Sequence, residues 1–248
     1  MFIYIFALIW AYLIIKILGK YMHKNQKVTY IISLLFSIAI LLLPYDLENV
    51  NPLFFSILLG PFTTGAIPMA IFFFVMWGRI LPKRWSVTKI IMQNRAELSI
   101  LGCFLSFSHN IFMGFIHEGS PFIEFFTKGI DMGTGFYIAT FITLILDILL
   151  IPLFITSFQT VRRKMKAKTW KNIQRLAYPF WILLHFHVLT IWGMGFLWHV
   201  NEQDLGIEFA HQVFMMLFYI ITLCLYIGLR LQKYSFDKDK RLAKSTIV

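Results

Sequence analysis

The sequence predicts an all-α, polytopic integral membrane protein with seven transmembrane helices. Of its 248 residues, 58% are hydrophobic and only 14% are charged, and Phe alone occurs 27 times. A soluble domain carries about 25% charged residues, and a disordered chain is poor in apolar side chains. Because the segments between apolar runs are short, we also expect no large soluble catalytic domain.

Seven apolar runs are each long enough to cross the hydrocarbon core of a bilayer, which takes about 20 helical residues. They lie at residues 2–18, 28–44, 53–77, 98–117, 136–158, 177–198 and 212–231. The first run lacks a basic start and a small-residue cleavage site, so we expect a retained helix and not a removable signal peptide.

The segments between the runs alternate in charge. Basic residues concentrate after the first run, in 78–96, in 159–176 and in the tail, whereas 45–52, 118–135 and 199–211 are acidic apart from Lys128. Cytoplasmic loops carry the excess of Lys and Arg, so we expect the N-terminus outside and the C-terminus inside the cell (plasma) membrane. The net charge of +11 thus reflects orientation, and we expect no nucleic-acid partner.

Polar side chains at membrane depth are costly, which makes each one a functional candidate. The candidates are His109 in the fourth run, Asp147 in the fifth, and His185 with His187 in the sixth. Each histidine has a simpler interpretation, as a buried residue that only hydrogen-bonds a neighbouring polar group.

The depths of two histidines agree. His109 lies 12 residues after Glu97, and His187 lies 12 residues after Arg175, so both imidazoles are expected about 18 Å above the inner charged rim. Two imidazoles at one depth on separate helices can ligate one haem iron from both faces. His185 stays an alternative ligand, because a rotation of the helix would exchange it for His187.

Two further residues have several interpretations. Gly102 precedes His109 by seven residues on the same helix face, where a missing side chain permits either the approach of a flat macrocycle or close helix packing. Asp147 fits a hydrogen bond to a ligand imidazole, a proton carrier, or a protonated carboxyl bonded to a Ser or Thr.

The predicted outer rim is rich in imidazole and carboxylate groups, which together suit a divalent metal or ferric iron. The residues concerned are His117, Glu118, His199, Glu202, Glu208 and His211. They follow no ligand spacing, so a solvated polar rim is the favoured interpretation. The two cysteines, Cys103 and Cys224, lie far apart in apolar runs and predict no disulfide framework.

A series of residues in the second half of the chain forms a recognisable pattern. It comprises Leu153-Phe154-Ile155-Thr156-Ser157, Arg162-Arg163, Trp170, Ile173, Arg175-Leu176, Tyr178 and His187, preceded by Arg95, Leu98, Ile100 and His109. This pattern resembles the ferric-reductase-like transmembrane domain family, and most of all the haem-binding membrane subunits of bacterial methionine sulfoxide reductase systems. Thr64-Gly65 followed by Pro82 is a weaker match.

The resemblance covers about residues 28–230 and implies a division of the chain. Residues 1–27 would be an additional helix and basic loop, 28–231 the haem-binding core, and 232–248 a basic cytoplasmic tail.

The resemblance also implies a cofactor: one b-type haem held by His109 and His187. Relatives with two haems carry a second histidine pair nearer the cytoplasm, where this chain has Arg95 and Gln174, so a single haem in the outer half of the bilayer is implied. The electron donor would be a quinol or a flavin, and the acceptor an extracytoplasmic reductase or another redox partner.

Two other functions fit the same sequence, and no catalytic residue is assigned. The first is a haem-binding protein that captures or senses excess haem without redox turnover. The second is a transporter or assembly factor that binds no haem.

Overall fold

A computed structural model describes residues 2–42, 52–116, 121–129 and 133–245. Within these ranges the chain is helical almost throughout and contains no β-strand. The predicted all-α class is therefore confirmed for the described part of the chain.

The helices are labelled α1 to α11 in chain order. The N-terminal half contains α1 (Phe2–Leu13, continuing through Ile14–Leu18 and Gly19–Lys24), α2 (Gln26–Leu41), α3 (Gly60–Thr63, preceded by Pro52–Phe54 and Phe55–Leu59), α4 (Ala66–Trp77), α5 (Ser86–Gln93) and α6 (Arg95–Ile111, continuing through Phe112–Ile116). Two short segments, Pro121–Ile123 and Glu124–Lys128, precede the C-terminal half. That half contains α7 (Gly133–Ser157), α8 (Gln159–Lys164), α9 (Ala167–Gln174), α10 (Ala177–Asn201) and α11 (Ile207–Ser245).

Among the described residues, five helices are long and apolar enough to cross a bilayer. They are Ile3–Lys24, Arg95–Ile116, Gly133–Ser157, Ala167–Asn201 and Ile207–Phe236. The bent pair Phe55–Thr63 and Ala66–Trp77 gives a sixth crossing if it is one span. The other predicted span, 28–44, corresponds to α2, which has 16 residues and is shorter than the others; its predicted end lies outside the described residues. The chain is thus a multi-pass membrane protein.

The third predicted span is sharply bent. The axes of Phe55–Thr63 and Ala66–Trp77 differ by 72°, and Gly65 between them has a φ of +74°. This left-handed conformation costs a residue with a side chain about 1–2 kcal/mol. Hydropathy alone does not reveal the bend, because the apolar run continues through it.

The outer faces of the long helices are apolar. On α7 and α10, for example, Phe141, Ile148 and Phe186 are exposed. Lipid tails are as apolar as these side chains, so the helix faces are suited to contact with a bilayer.

The first helix belongs to the core of the bundle. Ala7, Ala11 and Ile15 are buried in one cluster with residues of α4 and α6, including Ile67 and Leu98. Small side chains on α1 allow close approach of the neighbouring helix. The first helix, which the sequence predicts to be an addition to the bundle, therefore shares a hydrophobic core with α4 and α6.

A second cluster joins the C-terminal helices to α4 and α6. Phe72, Leu146, Leu150, Phe180 and Trp181 are buried in it together. This packing joins α6 and α10, which carry His109 and His187, through residues of α4 and α7.

Candidate functional site

A cavity lies inside the bundle where α4, α6, α7 and α10 meet. Its walls include His109, His187 and Asp147, so the structure brings three of the predicted site residues together. Most of the remaining wall is apolar or aromatic: Tyr4, Met69, Phe72, Leu146, Leu150, Phe180, Leu184, Val188, Ile191, Trp192 and Tyr219.

The imidazole of His109 is oriented by the backbone at the end of α3. Its Nδ1 lies 2.9 Å from the carbonyl oxygen of Thr63. A carbonyl only accepts hydrogen bonds, so Nδ1 carries the proton and Nε2 keeps a free lone pair. Thr63 is the last residue of α3, where helix carbonyls lack intrahelical partners. The bend thus provides the acceptor that fixes this ring.

Gly65 makes room for the same ring. A Cβ at this position would lie 2.8 Å from both Nε2 and Cδ2 of His109, closer than side-chain atoms pack. Glycine is therefore required here both by the left-handed backbone and by the neighbouring imidazole. In the sequence, Thr64-Gly65 is only a weak match to the family. The feature that could have indicated a role for Gly65 is that it interrupts an apolar run.

The imidazole of His187 is oriented by α7. Its Nδ1 lies 3.2 Å from the hydroxyl oxygen of Thr143 and 3.3 Å from the carbonyl oxygen of Ala139. The Thr143 hydroxyl donates its own proton to Ala139 at 2.9 Å, so its oxygen accepts from His187. Nδ1 of His187 is therefore protonated and Nε2 carries the lone pair. Nothing in the sequence alone marks Thr143 or Ala139 as a partner of His187.

The two imidazoles thus have the same tautomer. Metal-binding histidines usually donate the N–H of one ring nitrogen to a carbonyl or hydroxyl and bind the metal through the other nitrogen. Within the described residues, neither Nε2 has a hydrogen bond, and both rings line one cavity. Each ring therefore keeps a free Nε2 lone pair in the arrangement that metal-binding histidines have.

Asp147 has a different partner from those considered in the sequence analysis. Its Oδ1 accepts a hydrogen bond of 2.9 Å from the side-chain amide of Asn110. The Nδ1–H groups of His109 and His187 are directed elsewhere. Asp147 therefore contributes a hydrogen-bonded carboxyl to the cavity wall and does not orient either histidine.

His185 is turned away from the cavity. It is fully buried, its Nδ1 lies 2.9 Å from the carbonyl oxygen of Trp181, and its ring contacts Trp181 and Tyr219 at centroid distances of 4.4 and 5.9 Å. Its Nε2 has no hydrogen-bond partner in the described part of the chain. The structure thus places His187, and not His185, in the cavity with His109.

Gly102 packs against α4. A Cβ on Gly102 would lie 2.9 Å from the ring of Phe72, and Phe72 in turn lines the cavity. Of the two interpretations of Gly102, this geometry corresponds to close helix packing.

Two neutral imidazoles are a donor set that ligates haem iron, and the apolar walls suit a porphyrin. The free volume of the cavity, about 110 Å³, is smaller than the roughly 300–1,000 Å³ of pockets for ligands of drug size. Binding of a macrocycle therefore requires wall side chains such as Phe72 and Met69 to move outward, or α6 and α10 to separate.

The predicted outer rim brings one imidazole close to two carboxylates and, in its described part, shows no recognisable metal centre. Nδ1 of His199 lies 3.2 Å from the carboxylate of Asp204, and Nε2 lies 3.9 Å from that of Glu208. His117 and Glu118 lie outside the described residues. In the described ranges, no group of three or more His, Cys, Asp and Glu residues is arranged to hold a metal ion.

The remaining candidates lie apart from one another. Glu202 is exposed, and His211 packs against Trp192 with ring centroids 5.1 Å apart. Cys103 is buried, Cys224 is exposed, and both are free thiols.

The sequence is similar to that of a known protein over most of its length. An uncharacterized protein of Treponema pallidum (strain Nichols) is 34% identical to it over 187 residues, which is 75% of this chain and 51% of that protein. The chain thus spans about half the length of this relative. No protein-family model matches the chain, and no solved structure matches it. Fold and cavity together define a multi-pass helical membrane protein with two histidines facing one internal cavity.

Proposed function

We propose that this protein is a membrane haem b protein in which Nε2 of His109 and Nε2 of His187 ligate one iron. The observation that supports the proposal is the presence of both imidazoles in one cavity, each held through Nδ1. When bound, haem would supply reversible one-electron redox chemistry. The chain's own contribution is to orient the two ligands and to keep water away from them with apolar walls, which favours electron transfer over oxygen chemistry.

The proposed activity is electron transfer between a quinol or flavin donor and an extracytoplasmic acceptor. It rests on the resemblance of the two histidine-bearing segments to the ferric-reductase-like transmembrane domain family. Arg95 and Gln174 stand at the inner positions where haem ligands would be needed for a second haem, and this supports a single site.

We further propose a topology of seven crossings in the plasma membrane, with α2 as the seventh and the N-terminus outside. The alternating loop charges support this orientation. Glu202 and Lys166 are both exposed and lie on opposite proposed sides. In a Cys224→Ser background, an impermeant maleimide should label Glu202→Cys in intact cells and Lys166→Cys only after permeabilisation. The reverse pattern would overturn the orientation.

Haem ligation is tested by the absorption spectrum of the purified protein after reconstitution with haem. We expect a Soret band, and a sharp α band after dithionite reduction. His109→Ala and His187→Ala should each lose the low-spin spectrum, whereas His185→Ala, which removes a buried imidazole outside the cavity, should keep it. If the wild-type protein shows neither band, the haem proposal is wrong. If His187→Ala keeps the spectrum and His185→Ala loses it, His185 is the ligand.

The role of the bound haem is tested separately. Reduced protein is mixed anaerobically with a quinone or a ferric chelate, and its reoxidation is followed in the α band. Reoxidation faster than that of free haem supports electron transfer. A rate no greater than that of free haem would instead support haem capture or sensing without turnover.

A further inference from the structure

A second cavity lies at the end of the bundle that carries the basic loops. Its volume is about 190 Å³, and three arginines, Arg79, Arg95 and Arg162, contribute to its walls together with Gln174 and Tyr178. No Asp or Glu is among its lining residues in the described part of the chain. The cavity is therefore strongly cationic.

A fourth arginine reinforces this charge. Arg230 of α11 donates a hydrogen bond of 2.6 Å to the hydroxyl group of Tyr178, and its guanidinium lies 5.4 Å from the centre of the Tyr178 ring. Three guanidinium groups, contributed by α6, α8 and the loop after α4, thus line one space, and the guanidinium of Arg230 lies beside it on Tyr178.

The arginines are not neutralised by the protein. No ion pair joins an arginine to a carboxylate among the described side chains, and Nε of Arg95 is buried without a hydrogen-bond partner there. A partly desolvated charge without a partner is unfavourable. Arg79 and Arg162 are exposed to solvent, and Arg162 also stacks on Trp170 at 4.5 Å. The partly buried Arg95 is therefore the arginine that an anion in the cavity would stabilise most.

The nearest acidic residue in the sequence is turned away. Glu97 accepts a hydrogen bond of 2.7 Å from the side-chain amide of Gln26 and lies 3.4 Å from Nδ1 of His23. Both partners belong to the N-terminal helices. Glu97 is thus engaged on the opposite face of α6 and is not a counter-ion for the arginines.

One helix N-terminus adds to the positive potential. The 17-residue helix α6 begins at Arg95, and Arg95 lines the cavity. The first turn of a helix presents unpaired N–H groups and about half a positive charge, which makes it an anion-binding element.

We propose that this inner cavity binds a phosphate group. Planar guanidinium groups match the oxygen geometry of phosphate through paired hydrogen bonds, and several positive charges suit a group that carries one or two negative charges. Two sources share this chemistry: the headgroup of an anionic phospholipid and a soluble phosphate ester. Basic pockets between transmembrane helices on the cytoplasmic side are typical lipid-headgroup sites.

The site is independent of the proposed haem. Its test uses the purified full-length protein and two probes: inorganic phosphate at constant ionic strength in an uncharged detergent, and nanodiscs of phosphatidylcholine with or without phosphatidylglycerol. Binding is measured as the rise in unfolding temperature and, for lipid, by native mass spectrometry. We expect at least one probe to bind. A response to phosphate alone identifies a soluble ester, and a response to phosphatidylglycerol alone identifies a lipid headgroup.

Matched variants distinguish binding at this cavity from a general attraction of anions to positive charge. Arg95→Gln should weaken binding of the probe that binds the wild-type protein by about tenfold or more. Arg79→Gln replaces it as the cavity variant if Arg95→Gln does not fold. Arg84→Gln removes the same charge from an exposed position that does not line the cavity, and it should bind as wild type. The proposal is overturned if neither probe binds, or if the Arg84 variant loses as much affinity as the cavity variants.

Discussion

The imidazole of His109 occupies the space that a side chain on Gly65 would need. A Cβ on Gly65 would lie 2.8 Å from Nε2 of the ring, and two residues earlier the carbonyl oxygen of Thr63 lies 2.9 Å from Nδ1. The backbone bend between α3 and α4 therefore determines where the ring lies and which of its nitrogens is left free. The bend between α3 and α4 thus orients a potential metal ligand, His109, that belongs to α6.

We expect Gly65→Ala to lower the free energy of unfolding by about 1–3 kcal/mol, because alanine is strained at this φ and displaces the ring. Haem affinity should fall as well. In detergent, denaturant titration measures the free energy of unfolding, and haem titration measures the haem affinity. Gly193→Ala is the matched control: a Cβ there meets no atom within 4 Å, and within a helix the change should be neutral or stabilising by up to about 1 kcal/mol. Equal losses in both variants would argue against the pairing of Gly65 with His109.

Thr143→Val removes the hydroxyl that lies 3.2 Å from Nδ1 of His187. The His187 ring should then be less well oriented. We expect haem affinity to fall by about tenfold, which is the lower end of the range seen when the hydrogen-bond partner of a metal ligand is removed. Thr190→Val is the control, because the exposed Thr190 hydroxyl bonds only the Phe186 carbonyl of its own helix, at 2.9 Å. An unchanged haem affinity in Thr143→Val would show that Ala139 alone orients His187.

The hydrogen bond between Asn110 and Asp147 links α6 to α7 beside the cavity. A double-mutant cycle with Asn110→Ala and Asp147→Ala should give a coupling free energy of about 0.6 kcal/mol, the average for interhelical hydrogen bonds in membranes. The cycle is measured by unfolding in mixed micelles. A coupling of zero would mean that this contact, 2.9 Å in the structure, does not persist in the folded protein.

The position of α1 in the core predicts sensitivity to added volume. Ala11 is completely buried (0% exposed), whereas Ile9 on the same helix is 46% exposed. Ala11→Leu should destabilise the protein by about 1–3 kcal/mol through overpacking, and Ile9→Leu should change stability by less than about 0.5 kcal/mol. Thermal unfolding of the two variants tests this difference. A stable Ala11→Leu variant would favour the sequence-based prediction that the first helix is only an addition.

Some of these relationships can be predicted from the sequence, because they depend on composition and on position along a helix. Hydropathy was sufficient for the helical class and for most spans. Counting residues from Glu97 and Arg175 placed His109 and His187 at one depth, and both line one cavity in the structure. The choice between His185 and His187 was beyond such counting, because helix rotation depends on packing against residues such as Tyr219.

Other features depend on which helices become neighbours, and a single sequence does not show this. The two interpretations of Gly102 could be separated only after Phe72 was placed beside it. Arg95 and Gln174 were notable in the sequence for not being histidines. Their place in a cationic cavity emerges only when the starts of α6 and α10 meet the basic loops.

The contact between Tyr4 and Tyr219 has a consequence for biosynthesis. Their rings meet edge to face with centroids 6.4 Å apart, and both line the histidine cavity, so α1 and α11 close one side of it together. Chains fold from the N-terminus as they are made, and α1 leaves the ribosome well before α11. The wall of the cavity is thus completed only when α11 has entered the membrane. Until then the side of the cavity between α1 and α11 stays open.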